Sequence, residues 1–263
     1  MDWSKTKTIF IIVFLILDLF LAFQFVEKRD QNQLGIIAET TLEDQLEANE
    51  ISYVDLPKET IKETYITGKS KEFIANEVEA LQGQIPEIIN NTKLESVFET
   101  PVPIEEETAE WLNTFVKNHV LEGGSYMFWG YEEQHKLLLF FQHYNGKPVY
   151  YNQNALLAIH VNEENEMIGY EQTLLVDIEE MMVGGNKQEI LPPIKAIENM
   201  YKRNDLKPGS KVTKVELGYF TLVPDAQVFV PTWHFIVNNK ENFFINAFEG
   251  QIIRDNTQWS EVE

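Results

Sequence analysis

Cysteine is absent from the 263 residues, so no disulfide can close a loop, no thiolate can act as a nucleophile and no cysteine can ligate a metal. A chain without such staples must rely on its apolar core, and this length suffices for one large domain or two small ones. Basic residues are scarce: 21 Lys and Arg stand against 42 Asp and Glu, a formal net charge of −21. Such a chain repels nucleic acid and anionic lipid surfaces, which sets nucleic-acid binding aside. The acidity reads as a solvated surface rather than a dedicated cation site. Three catalytic signatures are missing as well. Gly124-Ser125-Tyr126 lacks the second glycine of a nucleophile elbow and runs into a strand, no His-Glu-x-x-His occurs, and no phosphate-cradling Gly-x-x-x-x-Gly-Lys loop occurs.

What is present begins with an apolar run, Ile9 to Val26, flanked by basic residues and interrupted by Asp18. As a helix its 18 residues span roughly 27 Å, close to the thickness of a bilayer's hydrocarbon core. Fifteen of the 18 are Ile, Leu, Phe or Val. Each contributes about −0.3 to −0.6 kcal/mol to insertion, against about +2.5 to +3.5 for a central Asp, so the apolar residues win. Gln24-Phe25-Val26-Glu27-Lys28 offers no small-x-small cleavage site, which predicts an uncleaved anchor. The expected organisation is a cytoplasmic tail (1–8), a transmembrane helix (9–26) and a linker (27–39). A first extracytoplasmic α+β domain (40–185) and a second (186–263) follow, which places the protein in the cell membrane with its N-terminus cytoplasmic. An acid in such a helix avoids lipid by facing other helices. Phe14, Asp18, Leu21, Ala22 and Phe25 are the predicted transmembrane partner contacts.

Beyond the run, Thr40-Thr41 predicts a helix start reaching about Asn49, and Ser52–Val54 and Thr60–Thr67 read as strands. Ser70 is expected to cap a helix carrying Phe73, Ile74, Val78 and Leu81, with Gly83 ending it. Leu94–Phe98 looks extended, and Pro101-Val102-Pro103 reads as a break. Thr108, Trp111, Leu112, Phe115, Val116 and His119 share one face of a helix from about Glu105, stopped by Gly123-Gly124. Strand-like runs follow at 126–131, 136–144, 148–151, 155–161 and 167–177, with turn chemistry at Asn145-Gly146 and Asn162–Asn165. The pattern repeats: Pro192-Pro193 opens a helix with Ile194, Ile197 and Tyr201 on one face, and strands are expected at 211–223, 228–237, 241–248 and 251–254. The fold class is therefore α+β, two units each laying a helix on an antiparallel sheet, divided near Val183-Gly184-Gly185-Asn186. Pairs such as Phe140-Phe141, Tyr150-Tyr151 and Phe243-Phe244 put rings on both faces of a strand, so one face needs a second cover from a neighbouring domain or a partner.

The five histidines, His119, His135, His143, His160 and His234, read as polar placements rather than metal ligands, with His119 meeting the negative end of its helix. Glu105-Glu106-Glu107 and Glu163-Glu164-Asn165-Glu166 lack the alternating oxygens of a calcium loop. No catalytic residue, cofactor or metal is expected, and the chain does not read as an enzyme.

Met1-Asp2-Trp3-Ser4-Lys5-Thr6-Lys7-Thr8-Ile9-Phe10, followed by Phe14-Leu15-Ile16-Leu17-Asp18, closely resembles the start of YycI (WalI) proteins, and the resemblance extends over the chain in length, single anchor and tandem α+β region. It implies a membrane-anchored regulator of the WalK (YycG) sensor histidine kinase of low-GC Gram-positive bacteria, with a YycH-like regulatory protein as a second partner. The run Phe141–Tyr150, and Pro231-Thr232-Trp233-His234-Phe235 with Asn246–Ile253, are similar to PepSY-type modules, with Asn246 where an aspartate is common. Two rival readings remain: an extracytoplasmic binding module for a cell-wall fragment or peptide, which needs a concave pocket with aromatics and convergent polar groups, and a PepSY-like protease inhibitor, which rests on fold analogy.

Overall fold

The computed structural model describes residues 35–221 and 227–253, with separate positions between Lys7 and Gln24. In chain order the elements are α1 (Gly35–Ala48), β1 (Ser52–Tyr53), β2 (Lys62–Glu63), β3 (Tyr65–Ser70), α2 (Ala75–Val78), β4 (Gln84–Ile89), β5 (Lys93–Pro103) and α3 (Ala109–His119). There follow β6 (Tyr126–Glu132), β7 (Leu137–Tyr144), β8 (Lys147–Tyr150), β9 (Leu156–Val161), β10 (Glu166–Gln172), β11 (Leu175–Met181) and β12 (Gln188–Glu189). The last are α4 (Pro193–Lys202), β13 (Lys211–Thr221), β14 (Val228–Val237), β15 (Glu241–Asn246) and β16 (Ile252–Ile253). Two compact units are distinguished, one formed by the chain up to Ser52 with Lys207–Ser210, the other by Tyr53–Leu206 with Lys211–Glu263.

In the smaller unit, α1 starts five residues before the expected Thr40 and ends in a hydrogen-bonded reversal. Ile51 N–H donates to Leu46 O (2.8 Å) and Glu50 N–H to Glu47 O (2.9 Å), with Glu50 in the left-handed region at φ 57°. These are the two bonds that close a Schellman motif, here made without glycine. Leu42 and Leu46, one turn apart, are buried.

In the larger unit one large mixed sheet runs in the order β11-β3-β14-β13-β8-β7-β9-β10-β5-β4, with β6 on β7 and β15 on β14. The α+β class holds, but the two separate sheets expected from sequence are joined. Residues on both sides of the expected boundary at 185/186 belong to this one unit. The joint is β8: it follows β7 through the hairpin Asn145-Gly146 (φ 50° and 74°) and pairs in parallel with β13 at Val149↔Tyr219 and Tyr150↔Phe220. A two-residue loop with positive φ at both positions matches the strand twist, which is why Asn-Gly occupies it.

The helix α3 lies on the half of the sheet made by β4, β5, β10, β9 and β7. Thr108 caps it, its hydroxyl accepting from Trp111 N–H (3.3 Å), so the glutamates from 105 precede the helix rather than open it. Leu112, Phe115 and Val116 pack with Leu94, Phe98, Phe140, Leu157, Ile159 and Tyr170 in the largest core. On α4, Pro193, Ala196, Ile197 and Met200 are buried. Every residue of β7 from Leu137 to Gln142 is buried, as both faces of its strand are covered.

Three local expectations are corrected. Ser70 ends β3 instead of capping a helix, its hydroxyl accepting from Gln227 Nε2 (2.8 Å), and the helix after it shrinks to Ala75–Val78. Gln84–Ile89, read as no element, is a strand paired with β5. Pro101-Val102-Pro103 does not break the chain: β5 continues, with Val102 opposite Met167 and Pro103 opposite Glu166. β4 pairs β5 only over Lys93–Phe98, so the prolines lie where one side of β5 has no β4 partner, and a missing N–H costs little on such an edge.

Candidate functional site

Of the predicted transmembrane contacts, Phe14, Asp18, Leu21 and Ala22 are helical and exposed, while Phe25 lies outside the described residues. Seven of the 18 residues of Ile9–Val26 do so too; among the described residues no helix is long and apolar enough to cross a membrane.

The histidines scatter. His119 stacks on Phe115 at 4.4 Å, with Nδ1 2.9 Å from Phe115 O. His135 pairs with Glu132 (2.9 Å) and His160 with Glu171 (3.2 Å). Among the described residues no three His, Asp or Glu side chains come together as metal ligands. The acidic run at 163–166 is a hairpin turn, with Asn162 Oδ1 accepting from Glu164 N–H (3.0 Å) and Glu166 N–H (2.8 Å).

Glu171 is a charge on the sheet held by two partners. The His160 imidazole first, then the Lys93 ammonium at 2.8 Å, hold its carboxyl down to about 2 against the opposing effect of burial. A carboxylate depressed in the fold stabilises it above the unfolded value, and that stability is lost as pH falls through the folded value. Between pH 5 and pH 2 Glu171 should therefore give up on the order of 1–2 kcal/mol after solvent screening. Glu171→Gln is expected to flatten the fall of melting temperature across this window; an unchanged slope would show that the ion cluster is energetically idle.

His234 is different, since its side chain is wholly buried and sits in an aromatic cluster. It stacks on Phe244 (4.8 Å, 13°), leans on Trp129 (4.9 Å) and on Tyr150 (5.3 Å), and Trp129 in turn meets Phe141 (4.9 Å) and Tyr151 (5.9 Å). Phe141 and Phe244 are shielded by other rings of the same chain, so for these two the second cover predicted from sequence comes from within, while Tyr151 and Phe243 stay half-buried. Trp129 reaches the cluster through a bulge. Phe128 opposes Phe140 and Gly130 opposes Leu139, leaving Trp129 without a partner on β7, and a bulge re-aims a side chain in this way.

Beside the cluster a cleft of about 350 Å³ opens, lined by Met127–Gly130 of β6 with Phe141 of β7, by Gly146 and Pro148, and by residues of β13–β15 and the turn before β15, among them Lys214, Glu216 and Asn242. Its polar lining includes Lys214, Glu216 and Asn242, and the wholly buried His234, outside the lining, is held by two of them. His234 Nε2 is 2.8 Å from Asn242 Oδ1, Lys214 pairs with Glu216 (2.9 Å), and His234 Nδ1 faces Glu216 Oε2 across 3.9 Å. The imidazole first, then Lys214, hold the Glu216 carboxyl down to about 2 against burial. None of the lining residues Trp129, Lys214, Glu216 or Asn242 stands out as a site in the sequence, because they lie on three strands that only the sheet order brings together.

The larger unit is thus an α+β fold with one large mixed sheet and an aromatic cluster beside its joint. The sequence profile of the YycI protein family matches residues 31–248. The chain belongs to the YycI family, which is a family of regulatory proteins. No curated protein matches it in sequence. Among solved structures it is similar to an uncharacterized protein from Eubacterium rectale ATCC 33656, at 12% identity over 78% of this chain and 89% of that chain, TM-score 0.41. It is also similar to the C-terminal domain of YpeB from Bacillus megaterium, at 13% identity over 70% and 97%, TM-score 0.42. A third is YycH from Bacillus subtilis, at 12% identity over 74% of this chain and 54% of that one, TM-score 0.42. At these scores the likeness carries no functional argument. Asn246, the departure from the PepSY-like pattern, is buried and its Oδ1 accepts from Phe248 N–H (2.9 Å) and Glu249 N–H (3.3 Å), the turn-forming work an aspartate would do.

Proposed function

We propose that this protein is a membrane-anchored regulatory subunit that modulates a WalK-like (YycG) sensor histidine kinase together with a YycH-like protein. The observation that carries the reading is the family match over residues 31–248. The apolar run at 9–26 serves as a single-pass anchor, with Met1–Thr8 cytoplasmic and the folded units outside the cell. In this reading influence on the kinase passes through helix contacts in the bilayer and through the external units. A contact of this kind acts by favouring one state of the kinase over another. Phe14, Asp18, Leu21, Ala22 and Phe25 form the helix contact, with Asp18 its polar centre, since an intramembrane acid is stable only against polar partners.

Site-specific photocrosslinkers at Phe14, Leu21 and Phe25 in native membranes should capture the kinase or the YycH-like protein, and Asp18→Leu should cut that capture at least fivefold. Equal capture by lipid-facing positions on the opposite side of the helix would sink the assignment.

A further inference from the structure

At its β4 end the sheet has one face under α3 and the other open, and the open face carries large aliphatic side chains. On β5, Leu94, Ser96 and Phe98 are buried on the α3 side, so by alternation Lys93, Glu95, Val97 and Glu99 belong to the open side. Ile85 of β4 lies opposite Val97, and the two are 65% and 59% exposed. Cross-strand neighbours share a face, so they form one apolar spot. Next to Val97 on the other side stands Gly169 of β10, which leaves the surface low there, since a Cβ would come 2.6 Å from Ser96 O. Glutamates surround the spot. Glu87, Glu95 and Glu171 stand in register across β4, β5 and β10, two residues further along the strands, and Glu99 flanks Val97 on its other side. Lys93 answers Glu95 and Glu171, each at 2.8 Å. Glu87 and Glu99 are exposed and make no ion pair among the described residues.

An added strand is not the occupant, because the free edge of β4 is closed to pairing. Pro86 lies within the paired run, opposite Ser96, and a proline there turns its nitrogen to the free edge, where the missing N–H denies a donor to any new strand. A helix can lie on the face instead, as α3 does on the other side. We propose that this face docks an amphipathic helix of a partner protein, its aliphatic side chains over Ile85 and Val97 and a neighbouring row of Lys or Arg over Glu87, Glu95 and Glu99. The aliphatic and acidic rows lie about 7 Å apart, two residues along a strand. Adjacent side-chain rows of one helix, about 5–6 Å apart at Cβ, can meet both. Charge selects the occupant: a second copy of this chain, of net charge −21, would set acids against acids, and so would an anionic lipid surface. Covering Ile85 and Val97 supplies affinity, while the glutamates fix orientation and partner choice. The surface deepens the regulatory reading and rests on it for the existence of an external partner.

A photocrosslinker in place of Val97, in the full chain in native membranes, tests the face, with the captured segment sequenced by mass spectrometry. The expected capture is a segment of another protein whose aliphatic residues recur every three or four positions beside Lys or Arg. A crosslinker at Glu241, an exposed position on β15, should not capture that segment. Glu87→Lys combined with Glu99→Lys should cut the Val97 capture roughly tenfold or more, because like charges then face each other. Ile85→Ser should also reduce it, and both variants should keep the wild-type melting temperature, since the substituted side chains are exposed. If the lysine variant melts early, Glu87→Gln with Glu99→Gln takes its place, with a smaller loss of the same sign. Capture of a second copy of this chain, of lipid, or of a segment without basic residues overturns the proposal. So does no capture at all, or capture that survives both sets of substitutions. Crosslinking from Phe14, Leu21 and Phe25 reports on the regulatory reading separately: if it persists while Val97 captures nothing, this face alone is wrong, and if both fail the regulatory reading falls with it.

Discussion

Gly218→Ala is expected to lower the folding stability by about 3 kcal/mol, the large end of overpacking effects. Gly218 lies in β13 opposite Thr232 of β14. A Cβ there would overlap the Tyr150 ring and come 2.6 Å from Pro148 O. Neither neighbour can yield. Pro148 O is backbone of β8, and Tyr150 is wholly buried with its ring against Trp129 (5.5 Å), Phe141 (6.2 Å) and Phe244 (5.0 Å). Relief would require β8 to move off β13, and that short parallel pairing is what joins the two halves of the sheet. Urea unfolding of the purified chain followed by tryptophan fluorescence should show the midpoint falling by roughly 1 M. A loss below about 1 kcal/mol would mean that the joint is looser than its contacts imply.

Gln142→Leu should cost nearly as much, for a different reason. The Gln142 amide is buried and treats Leu175 as a strand neighbour would: Leu175 N–H donates to Gln142 Oε1 and Gln142 Nε2 donates to Leu175 O, both at 2.8 Å. Through this one side chain β7 is tied to the start of β11, the end strand of the sheet order, five places away. Leucine matches the volume but leaves two buried backbone groups unpaired, at about 1–3 kcal/mol each. The expected loss is about 2–5 kcal/mol in the same unfolding measurement. Gln142→Glu separates the two bonds. An ionised carboxylate keeps the acceptor and loses the donor, whereas the protonated acid can donate to Leu175 O. Burial favours the neutral form, so this variant should gain stability relative to wild type as pH is lowered from 7 towards 5. A pH-independent difference would show that the lost bond to Leu175 O contributes little.

Both residues stand where local sequence has no voice. The strands of the meander from Tyr126 to Gln172 were legible because alternation, long apolar runs and Asn-Gly or Asn-rich turns are local signals. Helix α3 was legible from the 3.6-residue spacing of Leu112, Phe115 and Val116, and α4 from Pro193 at its first position. Errors came where a nearby partner overrode local preference. Ser70 looks like a cap until Gln227 is seen to use its hydroxyl. Pro101 and Pro103 look like a break until β10 is seen to pair with β5 beside them.

Composition and periodicity alone determined that this chain carries one long apolar run near its start, an acidic α+β remainder with antiparallel meanders, and no cysteine chemistry; its opening residues determined the family it resembles. Only the tertiary structure decided that the halves fuse through β8 and β13, that Phe141 and Phe244 are covered from within, and that Trp129, His234, Glu216 and Asn242 meet beside one cleft. The reason is physical: turns and amphipathic spacing are written in neighbouring residues, whereas strand order is set by contacts between residues 70 or more positions apart, such as Tyr150 with Phe220, whose loop-closure cost is offset only when the whole sheet forms.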